Sequence, residues 1–419
     1  MLEPSDLAPA FTLPRDGGGE ISLSDLKGQV VVLFFYPRDD TPGCTKESIG
    51  FSEHLQAFAE AGAAVFGVSR DTAAKHDRFV AKHGRTVQLL SDAENTMCED
   101  YGVWVEKNMY GRKSMGIERS TFVIDRDGKI ADVVLGCDHA SALAQQSAYL
   151  GAAIGRVAGR VADATFSLDG QQYRLSANSS PHHLHGGKRG FSYRRWLAEV
   201  LDGACPAVRF TIVSEDGDEG YPGEVQASLV YQLELPARLL ITFEGVATRR
   251  TPFNPTCHAY FNLDGHAAGK LANHSLCLPA SHYTPIDDSL IPTGEIAPVS
   301  DTRFDFTQPK GLAQDYDHNF VLDVPPSQLR RAASLFSEAS GRLLSVFTDR
   351  PCIHLYTGAG LSVSDGKQGT SYSPSSGLAL ETQGFPDALN HPLFAADILR
   401  PGETFRSQTI FELTKEPRP

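Results

Sequence analysis

The first third of the chain alternates continuous apolar runs with stretches of helical spacing. Residues 30–36 and 64–69 are unbroken apolar runs, which are typical of buried strands in a sheet covered on both faces. Residues 45–61 and 72–83 place apolar side chains at near-helical spacing, and residues 120–125 form another short apolar run. Strands that alternate with helices in this way predict an α/β sheet.

From about residue 164 the pattern changes to short strands of period two, separated by Gly, Asn, Asp and Pro turns. Residues 165–175, 207–234 and 238–249 follow this alternation, which predicts a large antiparallel β domain. The Ala-rich stretch 139–154 between the two regions predicts a helix. We therefore expect an α/β domain over residues 1–130 and an all-β antiparallel sandwich over residues 131–419.

Charge and cysteine content narrow the class of protein. Lys and Arg number 38 against 51 Asp and Glu, so the net charge of −13 disfavours nucleic acid and anionic membranes as partners. The N-terminal MLEPSDLAPAF has neither a basic nor an apolar leader, so we expect no secretory signal. Seven widely spaced cysteines without a CxxC pair predict a reducing, cytoplasmic location and no disulfide framework.

Cys44 lies in the segment YPRDDTPGCTKE, which follows the first apolar run and opens a helix. A cysteine in the first turn meets the positive end of the helix dipole and unpaired backbone N–H groups, and both favour the nucleophilic thiolate. The hydroxyl of Thr41 can donate to the sulfur or to a bound peroxide oxygen. The alternative is a buried structural cysteine, but the Pro, Thr and Cys spacing favours a reactive one.

These residues resemble the peroxiredoxins, whose P-x-x-x-T-x-x-C motif matches Pro37, Thr41 and Cys44. The flanking TPGCTKE, LLSD and YGVW are similar to the bacterioferritin-comigratory type, over roughly residues 3–130. The resemblance implies a thioredoxin-like fold and the reduction of hydrogen peroxide or organic hydroperoxides, in which Cys44 becomes a sulfenic acid. It also implies that Thr41 and Arg119 polarise the peroxide and that Pro37 shields the sulfur from water.

The resemblance has one departure. Many members of this type carry a resolving cysteine five residues after the first, and Ile49 occupies that position here. Cys98 is the other cysteine of the region, and we expect it to pack in the interior rather than to form a disulfide with Cys44. We therefore expect a one-cysteine cycle, in which an external thiol such as thioredoxin or glutaredoxin reduces the sulfenate.

Several polar residues of the second region suggest a site. The histidines of SPHHLHGG could form a metal site, although this pattern alone is weak evidence for one. His258 stands in the aromatic stretch HAYFNL, Asp317 precedes a strand-like run, and Glu381 follows an apolar run. Each acid alone is equally compatible with a solvated surface. Together they suggest a site for carbohydrate binding and proton transfer.

The motifs LHGG, HAYFNL, YDHNF, YTG and ETQ…PDA…NHP stand in the order in which aldose 1-epimerases, or mutarotases, carry them, over about residues 125–415. The resemblance implies a galactose-mutarotase-like β-sandwich that interconverts the α and β anomers of hexoses such as glucose and galactose. By this resemblance Glu381 is the general base and His258 the general acid. His185 would assist at the ring oxygen or bind a hydroxyl.

The same resemblance assigns the sugar-binding residues. Arg160 and Asp317 would bind the sugar, and His354 and Asn178 are further substrate-binding candidates. The position before Arg160, commonly Asn, is Gly159, and His354 stands where Gln is common; both changes alter the hydrogen bonds offered to the sugar. We expect neither a cofactor nor a metal.

The two resemblances meet in STFVIDRDGKIADVVLGCD, so the first domain lacks its last elements and the second its first strands. Missing strands would leave exposed sheet edges. Either residues 120–137 serve both domains as one rigid body, or the chain is a recombination product with one poorly folded half.

The leading hypothesis is a bifunctional enzyme, a thiol peroxidase fused to an aldose epimerase, with both sites formed. A second hypothesis has one active half, and the complete set of acid, base and sugar residues then favours the epimerase. A third is a non-catalytic sugar-binding protein with a redox-sensing Cys44. A metal-dependent enzyme built on the clustered histidines would instead lose activity with a chelator.

Overall fold

The structure is a computed structural model that describes residues 7–60, 62–84, 87–109, 112–124, 128, 132–201, 205–234, 237–312, 314–325 and 328–415. The first region contains β1 (Thr12–Pro14), β2 (Glu20–Ser22), β3 (Val30–Phe35), α1 (Pro42–Glu53), α2 (Leu55–Glu60), β4 (Ala63–Ser69), α3 (Ala73–His83), β5 (Gln88–Ser91), α4 (Met97–Asp100), β6 (Trp104–Met109), β7 (Arg112–Ile117) and β8 (Ser120–Ile124). Within the described residues, no helix is both long and apolar enough to span a lipid bilayer.

The second region begins with one helix and continues almost entirely in strands. Its elements are α5 (Ala140–Gln145), β9 (Ala152–Ile154), β10 (Arg160–Val161), β11 (Thr165–Leu168), β12 (Gln171–Arg174), β13 (His183–Leu184), β14 (Leu197–Leu201), β15 (Ala207–Ser214), β16 (Val225–Glu234), β17 (Arg238–Ala247), β18 (Thr251–Pro252), β19 (Thr256–His258), β20 (Tyr260–Phe261), β21 (His274–Cys277), β22 (His282–Thr284), β23 (Ala297–Pro298), β24 (Lys310–Gly311), β25 (Asp317–Val321), β26 (Arg330–Ser337), β27 (Arg342–Thr348), β28 (Cys352–Tyr356), β29 (Leu378–Gln383), β30 (Ile398–Leu399) and β31 (Thr404–Lys415). Short 3-10 helices lie at Leu23–Leu26, Ala162–Ala164, Phe191–Tyr193, Asp218–Gly220, Lys367–Gly369 and Ala388–Asn390.

The first region is built on a mixed four-stranded sheet in the order β5-β4-β3-β8. Strands β3, β4 and β5 run parallel, and β8 runs antiparallel to β3. Alternate residues of β3 point to opposite faces: Leu33 and Phe35 pack in one apolar cluster, and Val32 and Phe34 in another. Both faces are therefore covered, and the predicted thioredoxin-like α/β arrangement is confirmed.

Two predicted helices differ from the observed ones. The helix expected over residues 45–61 starts earlier, at Pro42, because Pro is well suited to the first helical position, and it divides at His54 into α1 and α2. The helix expected over residues 139–154 is wrong beyond Gln145. Tyr149 and Gly151 have positive φ there, and β9 pairs with β19 instead.

The second region is the predicted β-sandwich. A nine-stranded antiparallel sheet, in the order β14-β15-β16-β17-β31-β27-β26-β21-β24, packs on a six-stranded sheet, in the order β20-β29-β28-β25-β22-β23. Apolar side chains of both sheets, such as Phe243 and Val346 from the larger and Phe320, Leu355 and Leu380 from the smaller, share one core. The opposite face of the smaller sheet is therefore free to carry polar side chains.

Residues 132–135 extend the six-stranded sheet beyond β20. Asn262 donates its backbone N–H to Val133 O at 2.9 Å, and Leu135 donates to Tyr260 O at 3.0 Å. The Lys367 ammonium fixes this segment by donating to Asp132 Oδ2 at 2.7 Å. This edge is thus covered by the segment that follows the junction. The predicted boundary between residues 130 and 131, and most of its Asp-Gly turn, lie outside the described residues.

Apolar side chains are exposed on two strands that end their sheets in the described part of the chain. β8 ends the four-stranded sheet, and Val123 on it is 42% exposed. β14 ends the nine-stranded sheet, where Leu197 and Val200 are each 78% exposed.

Candidate active sites

Cys44 is the third residue of α1 and is buried where the loop after β3 enters the helix. Arg119, from the turn between β7 and β8, donates from Nη2 to the Cys44 Sγ at 3.0 Å. The same guanidinium forms an ion pair with Glu47, one helical turn after Cys44. The structure thus places Arg119 beside this sulfur, and it adds Glu47, a carboxylate that the sequence did not indicate and that orients the arginine.

Gly43 makes room for the guanidinium. A Cβ atom at this position would lie 2.9 Å from Arg119 Nη2, which is closer than a real contact allows. Burial raises the pKa of Glu47 to about 6, although the charge and hydrogen bond of Arg119 oppose this shift. Glu47 is therefore more easily protonated than an ordinary glutamate, and it lies on the guanidinium that contacts the Cys44 sulfur.

The remaining predicted residues of this site line its loop. Thr41 is the N-cap residue of α1, and its hydroxyl donates to the Arg38 carbonyl oxygen at 3.2 Å. A hydroxyl has only one proton to donate, so the Thr41 hydroxyl does not donate to Cys44 in this structure. Pro37 is exposed at the start of the loop.

Cys98 lies on the other side of the sheet from Cys44. Cys44 packs with Val32 and Phe34, whereas Cys98 packs with Leu33 and Phe35. Burial and a hydrogen bond with Asp92 raise the pKa of Cys98 well above its ordinary value. Cys98 is therefore packed in the interior of this fold, and the one-cysteine cycle stays a prediction.

A second site occupies a cleft of about 210 Å³ on the outer face of the six-stranded sheet. Residues of this face alternate with core residues along each strand, so Asp317, His354 and Glu381 all point outward. In the strand register His354 lies opposite Glu381. Thr256 ties β19 to β29 by donating to Thr382 O at 2.9 Å, which brings His258 to the same place.

His258 and Glu381 form the centre of the cleft. The His258 Nε2 lies 3.5 Å from the Glu381 Oε1, and both side chains are almost completely buried. The other polar atoms of this pair, His258 Nδ1 and Glu381 Oε2, have no hydrogen-bond partner among the described residues. A nitrogen and an oxygen held this close can exchange protons with two ligand oxygens that are bonded to the same carbon.

His185 completes the centre from a loop. Its Nδ1 accepts a hydrogen bond from the Gly159 backbone N–H at 3.3 Å, which leaves Nε2 to carry the proton of a neutral ring. Burial and the nearby positive charges of His258, Arg160 and His354 hold the pKa of His185 well below its usual range. The ring is therefore a neutral hydrogen-bond donor towards the cleft.

Asp317 is held between two cationic side chains. His354 Nε2 lies 2.7 Å from Asp317 Oδ1, and Arg160 Nη1 lies 3.7 Å from Asp317 Oδ2. Burial would raise the pKa of Asp317, but the hydrogen bond and charge of His354 and the charge of Arg160 hold it below its usual range. Burial lowers the pKa of His354, and the Asp317 carboxylate outweighs this and raises it.

Asn178 departs from its predicted role. Its amide donates to Leu184 O at 2.9 Å and accepts from Leu184 N at 2.8 Å, and Asn178 is not among the residues that line the cleft. The expectation that it binds the substrate is therefore corrected. Both ends of the amide are used by the backbone, and they position the strand that leads to His185.

The histidines of SPHHLHGG do not act together. His182 accepts the Asp163 N–H at 3.0 Å. His183 is buried and bonds Ser176 O and the Tyr221 hydroxyl, each at 2.7 Å. The structure brings together His185, His258 and Glu381 instead, whose potential ligand atoms all lie within 4.8 Å of one another. Two imidazoles and a carboxylate are a donor set that zinc accepts.

Tyr149 is a residue of the cleft that the sequence did not indicate. Its ring lies 4.9 Å from the His185 ring and 6.0 Å from the His258 ring, between centroids. It holds a φ of 57°, which is rare for a bulky residue and is concentrated at functional sites. Because the surrounding stretch is Ala-rich, its composition suggested a helix and hid this turn.

Comparison with known proteins divides the chain into the same two regions. The model of the aldose 1-epimerase family matches residues 121–412, and that of the AhpC/TSA family matches residues 4–133. Human galactose mutarotase is 42% identical over 301 residues, which are 70% of this chain and 86% of that protein.

Two solved structures are also similar. The GalM/aldose epimerase homologue from C. elegans is 31% identical, with a TM-score of 0.66, and the match spans 71% of this chain and 96% of the homologue. Xanthomonas campestris peroxiredoxin Q is 43% identical, with a TM-score of 0.28, and the match spans 29% of this chain and 76% of the peroxiredoxin. The chain belongs to the aldose 1-epimerase family, and an AhpC/TSA segment precedes its sandwich. The predicted fusion of two enzyme families is confirmed.

Proposed function

We propose that the sandwich interconverts the α and β anomers of an aldohexose such as glucose or galactose by acid–base opening of the sugar ring. The observation that carries this proposal is the 3.5 Å separation of His258 Nε2 and Glu381 Oε1 in a buried cleft. The anomeric hydroxyl and the ring oxygen are bonded to one carbon. An acid and a base that act on them must therefore lie side by side.

In the proposed reaction, Glu381 removes the proton of the anomeric hydroxyl while protonated His258 donates a proton to the ring oxygen. The bond between the anomeric carbon and the ring oxygen breaks, and an open-chain aldehyde forms. Rotation about the adjacent carbon–carbon bond presents the other face of the carbonyl. Reversal of both proton transfers closes the ring as the other anomer and restores the two side chains, so no net proton or electron is consumed.

The other cleft residues would hold the sugar. His185 offers a neutral N–H to the ring oxygen or to a hydroxyl, and Asp317 offers a carboxylate that His354 and Arg160 orient. Arg160 is also available to donate to sugar hydroxyls. Fixed partners of this kind place the ring relative to His258 and Glu381.

We propose a second activity for the first region, the reduction of hydrogen peroxide or an organic hydroperoxide by Cys44. The hydrogen bond of 3.0 Å from Arg119 to the sulfur supports it, because it places a guanidinium beside the atom that would attack the peroxide. The thiolate would attack one peroxide oxygen and become a sulfenic acid as the O–O bond breaks, and the other oxygen would leave with the electron pair of that bond and take a proton from solvent to form water or an alcohol. Thr41 and Arg119 would polarise the peroxide, and Pro37 would shield the sulfur from water. An external thiol such as thioredoxin or glutaredoxin would reduce the sulfenate.

The proposed division is residues 1–130 for the peroxidase and residues 131–419 for the epimerase. The cysteines are all unpaired, which supports a reducing, cytoplasmic location.

A reciprocal experiment tests both activities in the full chain. Polarimetry of freshly dissolved α-glucose and α-galactose should show mutarotation that Glu381→Gln slows by about 10²- to 10⁴-fold. Cys44→Ser should abolish thiol-dependent peroxide reduction. Each variant is the control for the other, because each should keep the activity of the other region. A folded wild-type chain that does not accelerate mutarotation would refute the epimerase proposal.

A further inference from the structure

Gln383 has a buried amide that makes no hydrogen bond to any residue that the structure describes. It is the last residue of β29, two positions after Glu381, so both side chains point to the same face of the strand. Gln383 is 1% exposed and lines the cleft. Neither its Nε2 nor its Oε1 has a hydrogen-bond partner among the described residues.

The described residues around Gln383 show why its amide has no hydrogen-bond partner among them. Gly159 faces it without a side chain, and a Cβ atom there would lie 3.8 Å from Gln383 Nε2. The cross-strand partner of Gln383 is Cys352, a small and buried residue. The intervening Thr382 points the other way and bonds Thr409 on β31. Gln383 and Gly159 both border the cleft.

An unpaired buried amide is costly, so native proteins rarely keep one without a ligand or a water molecule to satisfy it. An amide offers a donor and an acceptor at adjacent atoms, and a sugar hydroxyl can use both. We infer that the Gln383 amide binds a hydroxyl group of the sugar and contributes to the choice of hexose. This inference rests on the proposed epimerase function and adds a specificity-determining residue to it.

Gln383→Met tests the inference, because Met keeps the length of the side chain and removes both hydrogen-bonding atoms. Replacement of an unpaired buried amide by an apolar group should leave the unfolding temperature without sugar unchanged or raise it. The same variant should raise KM for the preferred hexose about 10-fold and change kcat by less than about 3-fold, as expected for loss of one or two hydrogen bonds to the substrate. Gln226→Met, at an exposed glutamine of β16, is the matched control.

Glucose analogues that lack the 2-, 3-, 4- or 6-hydroxyl identify the contact. Wild type should bind one of them less tightly than glucose, and Gln383→Met should not distinguish that analogue from glucose. A lowered unfolding temperature with unchanged KM would overturn the inference and assign Gln383 a structural role. A raised unfolding temperature with unchanged KM would overturn it too, because the amide would then hold only water.

The stabilisation of the protein by added sugar separates this inference from the proposed function. Sugar binding raises the unfolding temperature whether or not mutarotation occurs. If hexose stabilises wild type but wild type does not accelerate mutarotation, the proposed function fails. The inference can still be decided by comparing the rise in unfolding temperature that hexose causes in Gln383→Met with the rise that it causes in wild type. If wild type shows neither response, both are refuted.

Discussion

His354 on β28 and Asp317 on β25 form a hydrogen-bonded pair across two neighbouring strands, with 2.7 Å between Nε2 and Oδ1. Arg160 approaches the other carboxylate oxygen from β10. The Asp317 carboxylate is therefore fixed before a ligand arrives. The pairing of the imidazole with a carboxylate makes this corner of the cleft sensitive to pH.

We expect the contribution of His354 to stability to disappear at alkaline pH. The Asp317 carboxylate raises the pKa of His354 above its ordinary value of about 6.5 in spite of burial. A group whose pKa is raised by folding stabilises the folded state below the unfolded value, and this stabilisation is lost as pH rises through the folded value. The difference in unfolding free energy between wild type and His354→Gln should therefore shrink as the pH rises above about 6.5.

Urea unfolding at several pH values measures this difference. His282→Gln, at an exposed histidine of β22, is the control and should show a smaller change with pH. A difference between wild type and His354→Gln that stays constant over this range contradicts the charged pair.

Peroxide should oxidise Cys44 without forming an internal disulfide. The sheet separates Cys44 from Cys98, so the sulfenic acid has no partner thiol there. Intact-protein mass spectrometry after one equivalent of peroxide should detect one added oxygen, and a disulfide only with an added thiol. Cys98→Ser should retain peroxidase activity within about 3-fold, whereas Cys44→Ser should have none. An internal link between Cys44 and Cys98 in the peptide map would disprove the one-cysteine cycle.

Gly43→Ala should impair the peroxidase and spare the fold. The added Cβ would displace the Arg119 guanidinium, and a misplaced catalytic partner of this kind costs about 10- to 100-fold in rate. Ala is a better helix former than Gly, so the unfolding temperature should not fall. Gly116→Ala is the control, since its Cβ meets only the flexible chain of Lys107 at 3.4 Å. Equal peroxide rates in wild type and Gly43→Ala would argue against the Arg119 contact.

Zinc should inhibit mutarotation rather than support it. The ligand atoms of His185, His258 and Glu381 are close enough to bind one ion, and a bound ion would occupy the acid and the base together. Inhibition should be competitive with hexose and reversed by EDTA, and EDTA alone should leave the rate unchanged. Loss of activity in EDTA that added zinc restores would instead establish a metal-dependent reaction.

Periodicity predicted the architecture well because it reports burial directly. The run at residues 30–36 became β3, and the alternation after residue 164 became the sandwich. The stretch around Tyr149 was misjudged, since helix propensity describes local preference and β9 is determined by pairing with the distant β19.

The site residues also fall into those that local sequence indicates and those that only the three-dimensional contacts reveal. Motifs identified Cys44, His258 and Glu381, because the chemistry depends on the residue type itself. Asn178 was misassigned, and Gln383 was not singled out, because their roles depend on which polar atoms the surrounding backbone already uses. That information exists only in three dimensions.

The segment 132–135 has a consequence for where the sandwich begins. It occupies the outer side of β20 and is fastened there by Lys367, so it supplies the hydrogen bonds that an opening strand would supply. A sandwich that began a few residues downstream of this segment would leave the outer edge of β20 unpaired. The residues that follow the junction are therefore part of the sandwich itself rather than a linker that leads to it.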